Sequence, residues 1–177
     1  GVTTVRTGGV LRISHANALG STNGATVVEN GGWLELRGGL TVAEPILLNG
    51  DLALGYAGTL RSTGGSNIWS GLINLNGARI RVVGDSLDVV GGVTGAGGAL
   101  CADGGKVLRV SGLPVTFGSG AFYAHSGGGM VILNVAGNSW GTLDLGGGSV
   151  RTDVANALPP TSTLQLNSNT SVDLNGN

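Results

Sequence analysis

Apolar and polar residues alternate along this chain in short runs. Val10-Leu11-Arg12-Ile13-Ser14, Trp33-Leu34-Glu35-Leu36-Arg37, Arg79-Ile80-Arg81-Val82-Val83, Ser86-Leu87-Asp88-Val89-Val90, Gly141-Thr142-Leu143-Asp144-Leu145 and Ser171-Val172-Asp173-Leu174 all follow the pattern. A period of two sends successive side chains to opposite faces, so each run predicts a half-buried strand. Runs this short suit strands and fall below helical length. Between them lie glycine pairs and triplets such as Gly8-Gly9, Gly38-Gly39, Gly91-Gly92 and Gly127-Gly128-Gly129. Gly and Asn supply the positive-φ residues of tight corners. The pattern predicts twenty-odd strands, more closely spaced than the turn signals every ~8–12 residues of a sandwich. Strand and corner recurring this often predict an all-β fold, a single-stranded right-handed parallel β-helix (β-solenoid) with two or three strands per coil.

A longer similarity lies over this pattern. Leu11-Arg12-Ile13-Ser14-His15-Ala16-Asn17-Ala18-Leu19-Gly20 returns about 139 positions later as Val150-Arg151-Thr152-Asp153-Val154-Ala155-Asn156-Ala157-Leu158-Pro159. Trp33–Gly38 likewise corresponds to Ser171–Gly176. Both copies read strand, Ala-Asn-Ala-Leu corner, strand. No linker divides the chain, so residues 1–177 are expected to form one continuous segment. It opens at Gly1 rather than Met, which reads as a processed or excised piece of a longer repetitive chain.

Three strings carry a family resemblance: Gly9-Val10-Leu11-Arg12-Ile13, Ala16-Asn17-Ala18-Leu19-Gly20-Ser21 and Gly32-Trp33-Leu34-Glu35-Leu36. Together they resemble the passenger-associated repeat of bacterial autotransporters. Glu44–Gly50, Gly58–Ser62 and Trp69–Ile73 are similar to the segment that commonly follows it. The resemblance covers residues 1 to about 96 and resumes near Gly147, departing between Leu100 and Trp140. It implies an extracellular or cell-surface parallel β-helix serving as a stalk or spacer.

Composition narrows the classes. Gly supplies 36 of 177 residues, but Pro only 4, which excludes collagen; 41% apolar residues and a net charge of −1 exclude a disordered chain. The nine basic residues form no stripe along the sequence and aromatics make up 4%, so no nucleic-acid partner is expected. No apolar run reaches the ~20 residues of a membrane span.

Candidate chemistry is sparse. Asp85 and Asp88, with Arg79 and Arg81 nearby, are the best pair for carbohydrate hydrolysis, which needs two carboxylates across a cleft. Asp85 sits in a Gly-Asp-Ser turn and Asp88 on the opposite strand face, so the pair does not converge by itself. Glu35, Asp144 and Asp173 each lie between apolar residues, which places them on the outer face. His15 and His125 lack metal-ligand spacing, and Ala102-Asp103-Gly104-Gly105 lacks the tandem copies of a calcium roll. Cys101, in an apolar string, reads as a small buried residue. No cofactor, metal or catalytic residue is expected.

The segment from Phe117 to Trp140 gathers the large residues Phe117, Phe122, Tyr123, His125, Met130 and Trp140. They are expected to fill wider coils. An alternative is an adhesin or glycan-binding surface centred on 117–140, carried by Phe122, Tyr123, His125 and Trp140. Gly1–Val5 and Thr170–Leu174 look like ordinary strands, so neighbouring β-helix segments or copies of the chain stacked end to end are the expected partners. The sequence thus predicts a non-catalytic rod, stalk or filament segment, on the order of 35–40 Å long.

Overall fold

Strand-forming alternation and glycine corners wind this chain into a parallel β-solenoid of about eight turns. The computed structural model describes residues 1–50 and 59–177; Gly58, quoted in the resemblance above, lies outside them. The first coil holds β1 (Thr3–Val5) and β2 (Val10–Ile13), and the second β3 (Thr26–Val28), β4 (Trp33–Arg37) and β5 (Thr41–Val42). The third holds β6 (Ile46–Asn49), β7 (Leu60–Gly64) and β8 (Ser66–Trp69); the fourth β9 (Ile73–Val82) and β10 (Ser86–Val89); the fifth β11 (Val93–Ala102) and β12 (Val107–Ser111). The sixth holds β13 (Val115–Thr116) and β14 (Ala121–Asn134), the seventh β15 (Thr142–Thr152), and the eighth β16 (Thr163–Leu166) and β17 (Thr170–Asp173). No helix occurs among the described residues.

Among the described residues the strands number seventeen, against the twenty-odd expected of the whole chain. The reason is that β9, β11, β14 and β15 bend round a corner without breaking, as at Gly77 (φ 63°) in Asn76-Gly77-Ala78. Every ladder between strands is parallel, and the pairings define three faces. The first runs β1–β3–β6–β9–β11–β13. The second runs β2–β4–β7–β9–β11–β14–β15–β16. The third runs β5–β8–β10–β12–β14–β15–β17. Coil length is not constant: Thr26 stacks on Thr3, Ile46 on Thr26 and Ile73 on Ile46, at spacings of 23, 20 and 27 residues.

Inward residues stack like on like. Leu11, Leu34, Leu60, Ile80 and Leu100 form one ladder on the second face, the last four completely buried. Trp69, Val89, Val110 and Leu133 form another on the third. Each such side chain stabilises the fold by about 1.5–3 kcal/mol relative to its exposed state.

Two polar residues hold corners from inside. The Asn67 Oδ1 accepts the Leu40 backbone N–H at 2.8 Å while its Nδ2 donates to the carbonyl of Gly64 and to Ser62 Oγ. Asn138 does the same three coils on, accepting from Val115 N and donating to the carbonyls of Val135 and Ala157. Both are buried. Each satisfies backbone groups that a corner would otherwise leave unpaired in the core.

The glycine pair Gly91-Gly92 shows two separate demands. Gly92 has φ 82°, the left-handed conformation that L side chains avoid. Gly91 needs its bare Cα for another reason: a Cβ there would overlap the Gly71 carbonyl one coil below, and a Cβ on Gly71 would overlap that of Glu44. Close stacking, as well as corner conformation, therefore explains the glycine content.

The two copies of the 139-residue repeat occupy different faces. Leu11–Ile13 belongs to the second face, whereas Val150–Thr152 belongs to the third. In the first copy the Ala-Asn-Ala-Leu corner stands where a third-face strand would lie, and in the second it stands where a first-face strand would lie. The corner closes the gap with one buried side chain, Leu19 in one copy and Ala157 in the other.

Candidate functional site

The outer side of the second face carries the densest set of charged and polar side chains. Because the rungs stack in register, Arg12, Glu35, Arg61, Arg81 and Cys101 fall in one row along the axis. Glu35 points outward as its alternation predicts, yet it is only 6% exposed, because arginines cover it. Arg12 Nε and Arg37 Nη2 both donate to its Oε2, at 2.8 and 3.0 Å, and Arg61 stands 3.7 Å from Oε1. Burial alone would raise the Glu35 pKa, but the hydrogen bonds and charges of Arg12 and Arg37 outweigh it and hold the carboxyl below its ordinary value. Arg61 lies over the Trp33 ring, 4.4 Å from its centroid. Burial, with the neighbouring Arg81, lowers the Arg61 pKa against the pull of Glu35. Arg81 then grips Asp103 with two bonds, Nε to Oδ1 at 2.9 Å and Nη2 to Oδ2 at 3.0 Å.

The basic residues therefore do form a stripe, contrary to the sequence expectation. Arg12, Arg37, Arg61, Arg79 and Arg81, five of the nine, share this strip. Successive coils supply them, so that residues about a coil's length apart in sequence are brought together by stacking. No fixed spacing links Arg12, Glu35, Arg61 and Arg81, so the sequence holds no period by which to find them.

Further along the same face, Tyr123 and His125 remain on the outer side, half-buried and edge to face at 5.3 Å. His125 Nε2 lies 4.0 Å from Asp144 Oδ1, and burial lowers its pKa against the attraction of Asp144. Cys101, 2% exposed, has its thiol pushed up to about 11, chiefly by burial. A neutral, covered thiol matches the sequence expectation of a small buried side chain.

Phe122 and Trp140, expected with Tyr123 and His125 in the alternative binding surface, lie in the core at 0% and 2% exposure. Together with Phe117 they form an edge-to-face series. Alternation places Phe122 inward and Tyr123 outward on the same strand, which divides the set.

The carboxylate candidates also disperse. Asp85 sits exposed at a corner, and Asp88 accepts a hydrogen bond from Ser111 at 2.7 Å. Asp88 and Arg109 are neighbours on adjacent rungs of the third face, but Arg109 bonds Asp153 at 3.0 Å, while Asp103 and Arg79 belong to the second face. Asp153 also takes two bonds from Arg151; those bonds, and that from Arg109, hold its pKa below the ordinary value. Sequence reasoning passed over Glu44, which is 3% exposed and accepts from Thr26 Oγ1, while its Oε2 has no hydrogen-bond partner among the described residues. No group of three His, Cys, Asp or Glu side chains that could hold a metal ion occurs among the described residues. Nor is any described helix long and apolar enough to cross a membrane.

The fold and this strip define a parallel β-solenoid with one arginine-rich outer face. No protein-family model matches the chain, and neither does any curated protein or any solved structure.

Proposed function

We propose that this chain is a non-catalytic rod segment of a bacterial extracellular or surface protein, built from autotransporter passenger-associated repeats and extended by coil stacking. The observation that carries this reading is the inward ladder, which keeps its register into the eighth coil. Leu164 and Leu166 continue the positions of Leu143 and Leu145, yet are 43% and 54% exposed where their predecessors are buried. A further coil laid on β16, from the same chain or from another copy, would bury both and pair the open strand edge. The repeat resemblance of Gly9–Ile13, Ala16–Ser21 and Gly32–Leu36 supports the surface location.

Sedimentation and electron microscopy over a range of concentrations test the self-stacking version. End-to-end filaments that disappear in Leu166→Lys are expected; strict monomers with frayed ends count against it. The other reading, a glycan-binding surface at 117–140, retains Tyr123 and His125 on the outside. Loss of glycan binding in Tyr123→Ala, with the circular dichroism intact, would favour it over a plain rod.

A further inference from the structure

We infer that His125 is an acid-responsive latch on the eighth coil: its protonation draws the Asp144 carboxylate away from Asn167 and frees the corner between β16 and β17. This goes beyond the rod reading and does not depend on it, because the loosening can be read on single folded molecules.

The slot around the imidazole is the first argument. His125 stands on the outer side of β14, in register with Gly147 of β15. A Cβ on Gly146 would overlap the ring at Cδ2 and Nε2, so that bare Cα makes room for it. Tyr123 closes another side, edge to face at 5.3 Å. Within this slot Nε2 is shut off from solvent and has no hydrogen-bond partner among the described residues. A neutral ring carries a proton on only one nitrogen, so Nε2 need not donate. The protonated ring donates from both, and a buried donor left without an acceptor costs free energy.

The acceptor at hand is already engaged. Asp144 Oδ1 lies 4.0 Å from Nε2, beyond hydrogen-bond reach, and accepts from Asn167 Nδ2 at 2.8 Å. A bond between imidazolium and carboxylate settles at ~2.7–2.9 Å, so the two groups must close by about 1 Å. With the ring boxed against Gly146, the carboxylate is the group that turns, and Asn167 is what it leaves. Asn167 anchors the corner before β17. Its Nδ2 and its backbone N–H both donate to the Leu145 carbonyl, at 2.8 and 3.2 Å, and its own carbonyl accepts from Thr170 Oγ1 at 2.7 Å. One oxygen of Asp144 thus connects a ring on the sixth coil to a corner of the eighth.

The surroundings fix the sign. Burial opposes protonation of the ring most, Asp144 of β15 favours it, and Arg79 of β9 opposes it. Cys101 of β11 holds its proton to about 11 and adds no charge near neutrality. Asp103, just beyond β11, is held by Arg81 with two bonds, and Tyr123 of β14 presents a ring edge. The balance lowers the His125 pKa from its ordinary value. The unfolded chain therefore binds more protons than the folded one as pH falls from the ordinary histidine range to the folded pKa. Stability is full above that range and is lost across it. The eighth coil bears the loss, because Leu164 and Leu166 are exposed there and a coil with few buried contacts opens first.

Amide hydrogen exchange of the full chain, corrected for the chemical rate at each pH, tests the proposal. Between about pH 8 and about pH 5, residues 163–173 should come to exchange roughly tenfold faster, while β9 and β11 keep their protection. The midpoint should match that of the His125 ring resonances in NMR. His125→Gln should remove the step. So should Asp144→Asn, which keeps an oxygen for Asn167 but not the charge that draws the ring. His15→Gln, an exposed site on the first coil, should leave the step in place. A step that survives in His125→Gln and Asp144→Asn, no step in the native chain, a loss spread evenly over all coils, or protection that rises with acid would each overturn the assignment.

Discussion

Phe122 and Trp140 meet edge to face with ring centroids 4.9 Å apart, and with Phe117 they fill the interior of the sixth and seventh coils. Edge-to-face packing adds to the burial of the rings themselves. Replacing either by Ala should cost about 3–5 kcal/mol through the cavity left behind. Tyr123→Ala, on the outer side of the same strand, should cost much less. Chemical denaturation midpoints measure both.

Gly91→Ala should destabilise by about 1–3 kcal/mol, since its Cβ would be driven into the Gly71 carbonyl. Gly64→Ala, where a Cβ meets nothing within 4 Å and φ is not positive, is the matching control and should be near neutral. Equal losses at the two sites would refute the close-stacking explanation of the glycines.

Asn67→Ala and Asn138→Ala should each leave a buried N–H, that of Leu40 or Val115, without the acceptor it now has. A loss on the order of 1–3 kcal/mol is expected in thermal or denaturant unfolding. Hydrogen exchange should rise first at the affected corner.

The raised pKa of Cys101 couples folding to alkaline pH. The unfolded thiol ionises near its ordinary value, while the folded thiol holds its proton until about 11. Between those limits the unfolded chain binds fewer protons, so stability falls as pH rises. Cys101→Ala should remove that part of the alkaline loss. Thiol reagents should label the native chain slowly and the unfolded chain fast.

Glu35 and Asp153 carry the opposite sign. Both carboxyls lie below their ordinary values in the folded state, so their contribution is present at neutral pH and is lost as pH falls through the folded pKa. Acid unfolding followed by fluorescence should shift in Glu35→Gln, whose titration no longer disfavours the fold.

Much of the architecture was legible because it is written between adjacent residues. Alternation at Trp33–Arg37 and Ser86–Val89 fixes strand and facing locally, and a glycine with positive φ such as Gly92 marks its own corner. The same rule assigns Phe122 inward and Tyr123 outward, so the division of that aromatic group was already present in the strand pattern.

The sequence by itself determined an all-β chain, short strands, glycine corners and a stacked solenoid. Only the tertiary structure decided which residues became neighbours along the axis. Rung partners depend on how many residues each coil uses, and spacings of 20, 23 and 27 residues leave no fixed period to read. For that reason Arg12, Arg61 and Arg81 look scattered in the sequence yet fall in one row, and the two repeat copies land on different faces. Glu35 was placed outward by alternation alone. Its burial under three arginines depended on coils above and below whose lengths the local pattern does not encode.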